Sequence, residues 1–239
     1  EYDGSSWTEG DNLNVSRRGL GGAGTQTAGV AFAGTGDTDD TEEYDGTDWA
    51  EGNNLNTARF GPGGAGTQTA ALCIGGGEPP IDNVESYDGT NWTEIEDLNT
   101  ARLLGAAVGT QTAALMAGGN PGPGASAVTE LWNGTSWTEV GDLTASRMKN
   151  GGAGTSTHAL SFGGIQPNNA AVATNMHWDG TSWTEIGDLS TARHSSAALG
   201  TANSGLGGAG YVPSPAAVST LTEEWTWDST LAAGAWASG

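Results

Sequence analysis

Three histidines, one cysteine and one run of acids are the residues with the means to do chemistry. A copper radical centre would need a tyrosine–cysteine cross-link with histidine ligands close by. Cys73 lies in the apolar run Ala71-Leu72-Cys73-Ile74, where a thiol behaves as a small core residue. His158, His177 and His194 are scattered over different strand positions, and His158 stands where an earlier copy of the repeat has Ala70. Such a histidine reads as a surface substitution rather than a ligand. The run Asp37-Thr38-Asp39-Asp40-Thr41-Glu42-Glu43 offers the carboxylate oxygens that calcium takes. It lacks the glycine and terminal glutamate of an EF-hand loop. A solvated loop is the first reading, and calcium at Asp37, Asp39 and Asp40 the alternative. No other cofactor or metal is expected, and no catalytic set can be assembled.

Charge narrows the classes further. The chain of 239 residues carries a formal net charge of −21, and Lys149 is its single lysine. Nothing here neutralises phosphates in number, which argues against nucleic acid and against anionic membranes. The acidity favours solubility and opposes self-association. A lone cysteine excludes an internal disulfide framework. No apolar run is long enough to span a membrane. Asn14, Asn91 and Asn133 begin Asn-x-Ser/Thr sequons, a chance expectation in a threonine-rich chain.

The elements that position these residues come from a repeat. Trp7, Trp49, Trp92, Trp137 and Trp183 are spaced by 42, 43, 45 and 46 residues, and Arg17, Arg59, Arg102, Arg147 and Arg193 step by the same intervals. Ten tryptophans so spaced do not fit disorder, and 41 glycines fit short strands with tight turns. Helical periodicity is absent, so a period near 45 predicts four-stranded blades of a β-propeller. In one unit, strands are expected at 60–66, 69–76, 84–87 and 92–95. A loop spans 77–83, and Asp88-Gly89 opens a tight hairpin turn. Glycines such as Gly63-Gly64-Ala65-Gly66 suit the innermost strand, where backbones crowd together. The large aromatics fall in the third and fourth strands, where volume must be filled.

The order Arg, apolar strand, Gly-Gly, Tyr-Asp, Trp resembles kelch repeats. It reads Arg59…Gly75-Gly76…Tyr87-Asp88…Trp92, Arg102…Gly118-Gly119…Trp132…Trp137 and Arg147…Gly163-Gly164…Trp178-Asp179…Trp183. The resemblance covers almost the whole chain. It implies one all-β, kelch-type propeller domain of four-stranded antiparallel blades. The repeats run 1–16 (partial), 17–58, 59–101, 102–146, 147–192 and 193–239. The near-identity of copies, with GAGTQTA, DLNTAR and YDGTSWTE, is similar to repeat-rich kelch-type proteins of marine bacteriophages. That likeness implies a virion or tail-fibre component. Ser86–Trp92 also resembles the Asp-box of sialidase propellers, less one residue before the glycine, and in that family the box is a structural turn.

Five inner-strand pairs stand against six outer-strand pairs, counting Tyr2–Trp7 and Trp225–Trp236. The expectations are six blades once residues beyond either end complete the last one, a five-bladed ring with a spare hairpin, or strands donated by a partner. The chain begins inside a repeat, as a processed product or a window on a longer protein would. The repeat arginines occupy one equivalent place per blade. They are expected to bond carbonyls between blades or a neighbouring acid, with an anion-binding ring as the alternative.

Two positions vary among copies. The residue after the arginine is Arg18, Phe60, Leu103, Met148 or His194. The loop between second and third strands reads around Asp37-Thr38-Asp39, Glu78-Pro79-Pro80, Asn120-Pro121-Gly122-Pro123, Gln166-Pro167-Asn168-Asn169 and Pro213-Ser214-Pro215. Blade topology puts both sets on one face, the candidate binding face, with drift at tolerant positions as the alternative. The expected function is non-enzymatic: an extracellular or virion-associated binding or structural module, such as a tail fibre or spike. Its partners would be copies of itself, other virion proteins or host surface glycans. A secreted carbohydrate-active enzyme and a bacterial surface adhesin are the alternatives.

Overall fold

A computed structural model describes residues 1–213, 216–228 and 233–238. The described chain is all-β, without helices, and forms five four-stranded antiparallel blades in a propeller arrangement. Blade 1 holds β1 (Gly21–Thr25), β2 (Ala28–Phe32), β3 (Thr41–Tyr44) and β4 (Trp49–Glu51). Blade 2 holds β5 (Gly63–Thr67), β6 (Ala70–Gly76), β7 (Ile81–Tyr87) and β8 (Trp92–Glu94). Blade 3 holds β9 (Ala106–Thr110), β10 (Ala113–Ala117), β11 (Thr129–Trp132) and β12 (Trp137–Glu139). Blade 4 holds β13 (Gly151–Gly154), β14 (Ala159–Phe162), β15 (Asn175–Trp178) and β16 (Trp183–Ile186). Blade 5 holds β17 (Ala197–Gly200) and β18 (Ser204–Gly208), then a small excursion, β19 (Tyr211–Pro213) and β20 (Ala216–Val218), then β21 (Thr222–Asp228) and β22 (Ala233–Ser238). No sixth four-stranded sheet is present among the described residues; Tyr2 and Trp7 form one antiparallel bridge ahead of blade 1.

First strands β1, β5, β9, β13 and β17 pack side by side at the centre. The glycines make this possible: a Cβ on Gly64 would lie 2.3 Å from the carbonyl oxygen of Gly22 in the preceding blade. Further out, each third and fourth strand closes on an aromatic pair, as in Tyr87↔Trp92 and Trp132↔Trp137. The pairs fill the widening space between blades. Trp92, Trp137 and Trp183 are buried, Trp49 is half-buried and Trp7 is 52% exposed. Burying such a ring contributes roughly 4–6 kcal/mol at ~25 cal/mol per Å².

The turn Tyr44–Trp49 has a local cause. Asp45 Oδ1 accepts hydrogen bonds from the amides of Thr47 (2.8 Å) and Asp48 (2.9 Å), and Gly46 takes φ +96°. Those amides hold the Asp45 carboxyl below its ordinary pKa, and Asp88 and Asp179 repeat the device. These aspartates are turn-formers.

Candidate functional site

The crossover segments that lead from one blade to the next build the candidate site. Each is anchored by its repeat arginine, whose side chain is sealed from solvent. Arg59 meets Glu85 and donates to the carbonyls of Gly75 (3.1 Å) and Asn83 (2.8 Å). Arg193 meets Glu223 (2.7 Å) and donates to the carbonyls of Ala209 and Leu221. Arg102 pairs with Glu130 (2.7 Å), and Arg17 with Glu42 (3.1 Å). All these partners lie in the arginine's own blade, so the guanidinium ties a loop to its crossover rather than bridging blades. Blade 4 departs from the others. Met176 stands where they have glutamate, and Arg147 donates to the carbonyls of Gly163 and Thr174 and to Thr174 Oγ1. Burial there pushes the Arg147 pKa down to about 10.

Two residues after each arginine the backbone turns left-handed. Gly19, Gly61, Leu104, Lys149 and Ser195 take φ between +54° and +67°. The amide of each donates to the carbonyl of the one before it: Gly61 to Gly19 (2.8 Å), Leu104 to Gly61 (2.7 Å), Lys149 to Leu104 (2.6 Å), Ser195 to Lys149 (2.9 Å). The result is an arc of backbone hydrogen bonds running from blade to blade. Leucine and lysine hold a conformation that disfavours side chains because the arc supplies partners on both sides.

The residue between arginine and arc pairs with the loop joining second and third strands. Leu103 bridges Asn120, Met148 bridges Ile165 and His194 bridges Tyr211; Phe60 accepts from the Gly77 amide and Arg18 from the Thr35 hydroxyl. The two variable sets therefore meet on one face. Arg18, Pro79 and Asn168 are exposed there, and Phe60, Met148, His194, Pro80, Pro121 and Gln166 are half-buried. Leu103 is 2% exposed, against Gly61, and presents nothing to a ligand. Neighbouring loops touch, with Pro80 beside Gly122. Ser214 and Pro215 lie outside the described residues.

Charge singles out the same face. Five of the chain's seven cationic side chains are the sealed arginines, which leaves Arg18 and Lys149, both on crossovers. His194 lies close enough for the Lys149 charge, together with burial as the larger cause, to lower its pKa. Its ring stands 5.1 Å from that of Tyr211.

Other residues singled out from sequence fall elsewhere. Asp37, Asp39 and Asp40 do not converge: Asp40 lies 3.7 Å from Arg17, and Asp39 accepts from Asn54. No three acids, histidines or cysteines are grouped to hold a metal among the described residues. Cys73 is fully buried in the core between blades 1 and 2, its pKa pushed up to about 12 by desolvation. Two histidines that looked scattered are neighbours. His158 and His177 have ring centroids 6.0 Å apart, and His177 stacks on Trp227 at 5.2 Å. Strand pairing of Leu160 with His177 creates this proximity across 19 residues, and no sequence spacing marks it. No protein-family model matches the chain, and no match is found among curated proteins.

Proposed function

We propose that this chain is a non-enzymatic binding propeller, of the kelch kind its repeat resembles, that presents the crossover face to its ligand. The observation that carries the reading is the meeting of both variable sequence sets on that face, over an invariant hydrogen-bonded frame. Arg18, Lys149 and the aromatic pair His194–Tyr211 suit acidic glycans, whose carboxylate or sulfate groups take charge-assisted hydrogen bonds and whose rings stack on aromatics. The setting is extracellular or virion-associated, in a tail fibre or spike with other virion proteins or further copies as neighbours. The repeat texture similar to phage proteins supports that part.

Screening the purified chain on neutral and acidic glycans tests it. Acidic glycans should bind, and Arg18→Ala with Lys149→Ala should weaken binding at least about tenfold without loss of folding. Binding that survives this pair and is lost instead on changing the opposite turns, at Thr47 and Thr90, overturns the assignment of the face. Turnover of a polysaccharide overturns the non-enzymatic reading.

A further inference from the structure

Two of the chain's three histidines lie side by side in blade 4. His158 closes the turn before β14: its carbonyl accepts from the Thr155 amide (2.7 Å), and its amide donates to Thr155 Oγ1 (3.1 Å). His177 lies on β15, opposite Leu160. Strand alternation puts His158 on the same face of the sheet as Leu160, so the two histidines are diagonal cross-strand neighbours. That face is turned to blade 5, where Trp227 of β21 covers one side of the His177 ring.

No other blade has an imidazole at either place. Alanine or serine stands at the first, as in Ala70 of blade 2. At the second, blade 1 has Glu43, which accepts the Tyr87 hydroxyl from the next blade. In blade 4 the next blade supplies Trp225 at the tyrosine's position. Trp225 has no hydroxyl to offer, and its indole N–H donates to the Ala202 carbonyl. Neither imidazole has a hydrogen-bond partner among the described residues. Ring nitrogens present their lone pairs in the ring plane, so stacking on Trp227 leaves those of His177 free.

We propose that His158 and His177 form a two-imidazole chelate for a late first-row divalent cation, with water completing the shell. Imidazole suits copper, nickel and zinc, whereas calcium and magnesium take oxygen ligands. No third acid, histidine or cysteine joins the pair among the described residues, so copper binds ahead of nickel and zinc. Two imidazoles on one ion, each nitrogen about 2.0–2.1 Å from it, have ring centres roughly 4.5–5.5 Å apart. The pair stands at 6.0 Å, and His158, exposed and held only through its backbone, closes the difference by turning its side chain. The net charge of −21 draws cations to the surface. Asp179 adds a negative charge near His177, although its Oδ1 is taken by the amides of Thr181 and Ser182. The pair shares no residue with the proposed ligand face and stands without it.

The test titrates copper(II), nickel(II) and zinc(II) salts into the untagged, metal-free 239-residue chain at pH 7 by calorimetry. One tight site per chain is expected, with copper the tightest. His158→Ala, at an exposed position, should weaken copper binding at least about tenfold with the circular dichroism spectrum intact, and His177→Gln should do the same. Lowering the pH from 7 to 5 should weaken binding, because protons compete for the imidazoles. Electron paramagnetic resonance of the copper form should show two imidazole nitrogens on the ion. Unchanged affinity in His158→Ala overturns the inference, as does a spectrum with fewer than two imidazole nitrogens. Loss of the tight site on His194→Ala instead, or equal competition by calcium, also overturns it, since the ion would then lie elsewhere.

Discussion

In blade 2 the guanidinium of Arg59 meets the buried carboxylate of Glu85; in blade 4 the guanidinium of Arg147 has Met176 in that place. Around Glu85 gather the amides of Asn56 and Thr57 and the Asn56 side chain. Blade 4 changes that partner too: Thr144 replaces the asparagine and lies 3.3 Å from the Met176 sulfur. What both sockets retain is donation from arginine to carbonyls at the two ends of the loop between second and third strands. The guanidinium is therefore a loop tether first and an ion-pair partner second. The acid is one way to offset burial of its charge, and in blade 4 a threonine hydroxyl beside the same two loop carbonyls takes its place.

The largest effect should come from removing the acid. Glu85→Met should cost about 3–5 kcal/mol, because it leaves a buried charge in a socket shaped for a pair. Met176→Leu, at the equivalent place in blade 4, should cost under ~1.5 kcal/mol. Adding Asn83→Thr to Glu85→Met imports the hydroxyl that Thr174 supplies in blade 4 and should recover part of the loss. Denaturant midpoints at constant m-value measure all three; equal costs for Glu85→Met and Met176→Leu would show that the pair contributes nothing.

A second natural contrast is smaller. Trp92 and Trp183 donate to a threonine hydroxyl on the preceding blade, Thr41 and Thr129. Val84 occupies that place before Trp137, whose indole N–H is buried without a partner. Thr41→Val should cost about 1–1.5 kcal/mol by orphaning Trp92, and Val84→Thr should stabilise by up to about 1 kcal/mol. Opposite signs in thermal unfolding are the expected outcome, and a shared sign would refute the assignment.

The smallest effect is on pH. Burial, and then the charge of His158, lower the His177 pKa, while Asp179 opposes this. A histidine whose folded pKa is lowered is held neutral by the fold. Its contribution is complete above the ordinary histidine pKa of ~6.5 and is lost as pH falls from there through the lower folded value. Stability should decline slightly over that window, and His177→Phe should flatten the decline in thermal melts recorded from pH 7 to pH 5.

Much of this arrangement was legible in the sequence. The tryptophan and arginine spacing located every blade, and the glycine runs marked the inner strands, because both patterns answer to local geometry repeated along the chain. The two variable sets were also legible, since blade topology alone puts them on one face. Less was visible in Leu103, which varies among copies like its exposed or half-buried counterparts yet is fully buried against Gly61. The arginine partners were half-read: an acid was expected, but the preference for the arginine's own blade depends on how the crossover folds back over its loop. The histidine pair was hidden by register, since one strand slip would move His177 to the other face of the sheet.

Sequence by itself determined the unit: four strands, an aspartate-glycine turn and an arginine at the crossover; that five complete blades form among the described residues was decided by the structure. The features of the unit follow from side-chain types a few residues apart, whose conformational preferences hold whatever surrounds them. Tertiary structure alone decided what the copies do to one another. It placed Leu104 and Lys149 in a left-handed arc and left Arg18 and Lys149 as the cations outside the sockets. It also set Tyr2 against Glu224, 222 residues away. Such contacts depend on the curvature summed over all the blades, and no single repeat encodes that sum.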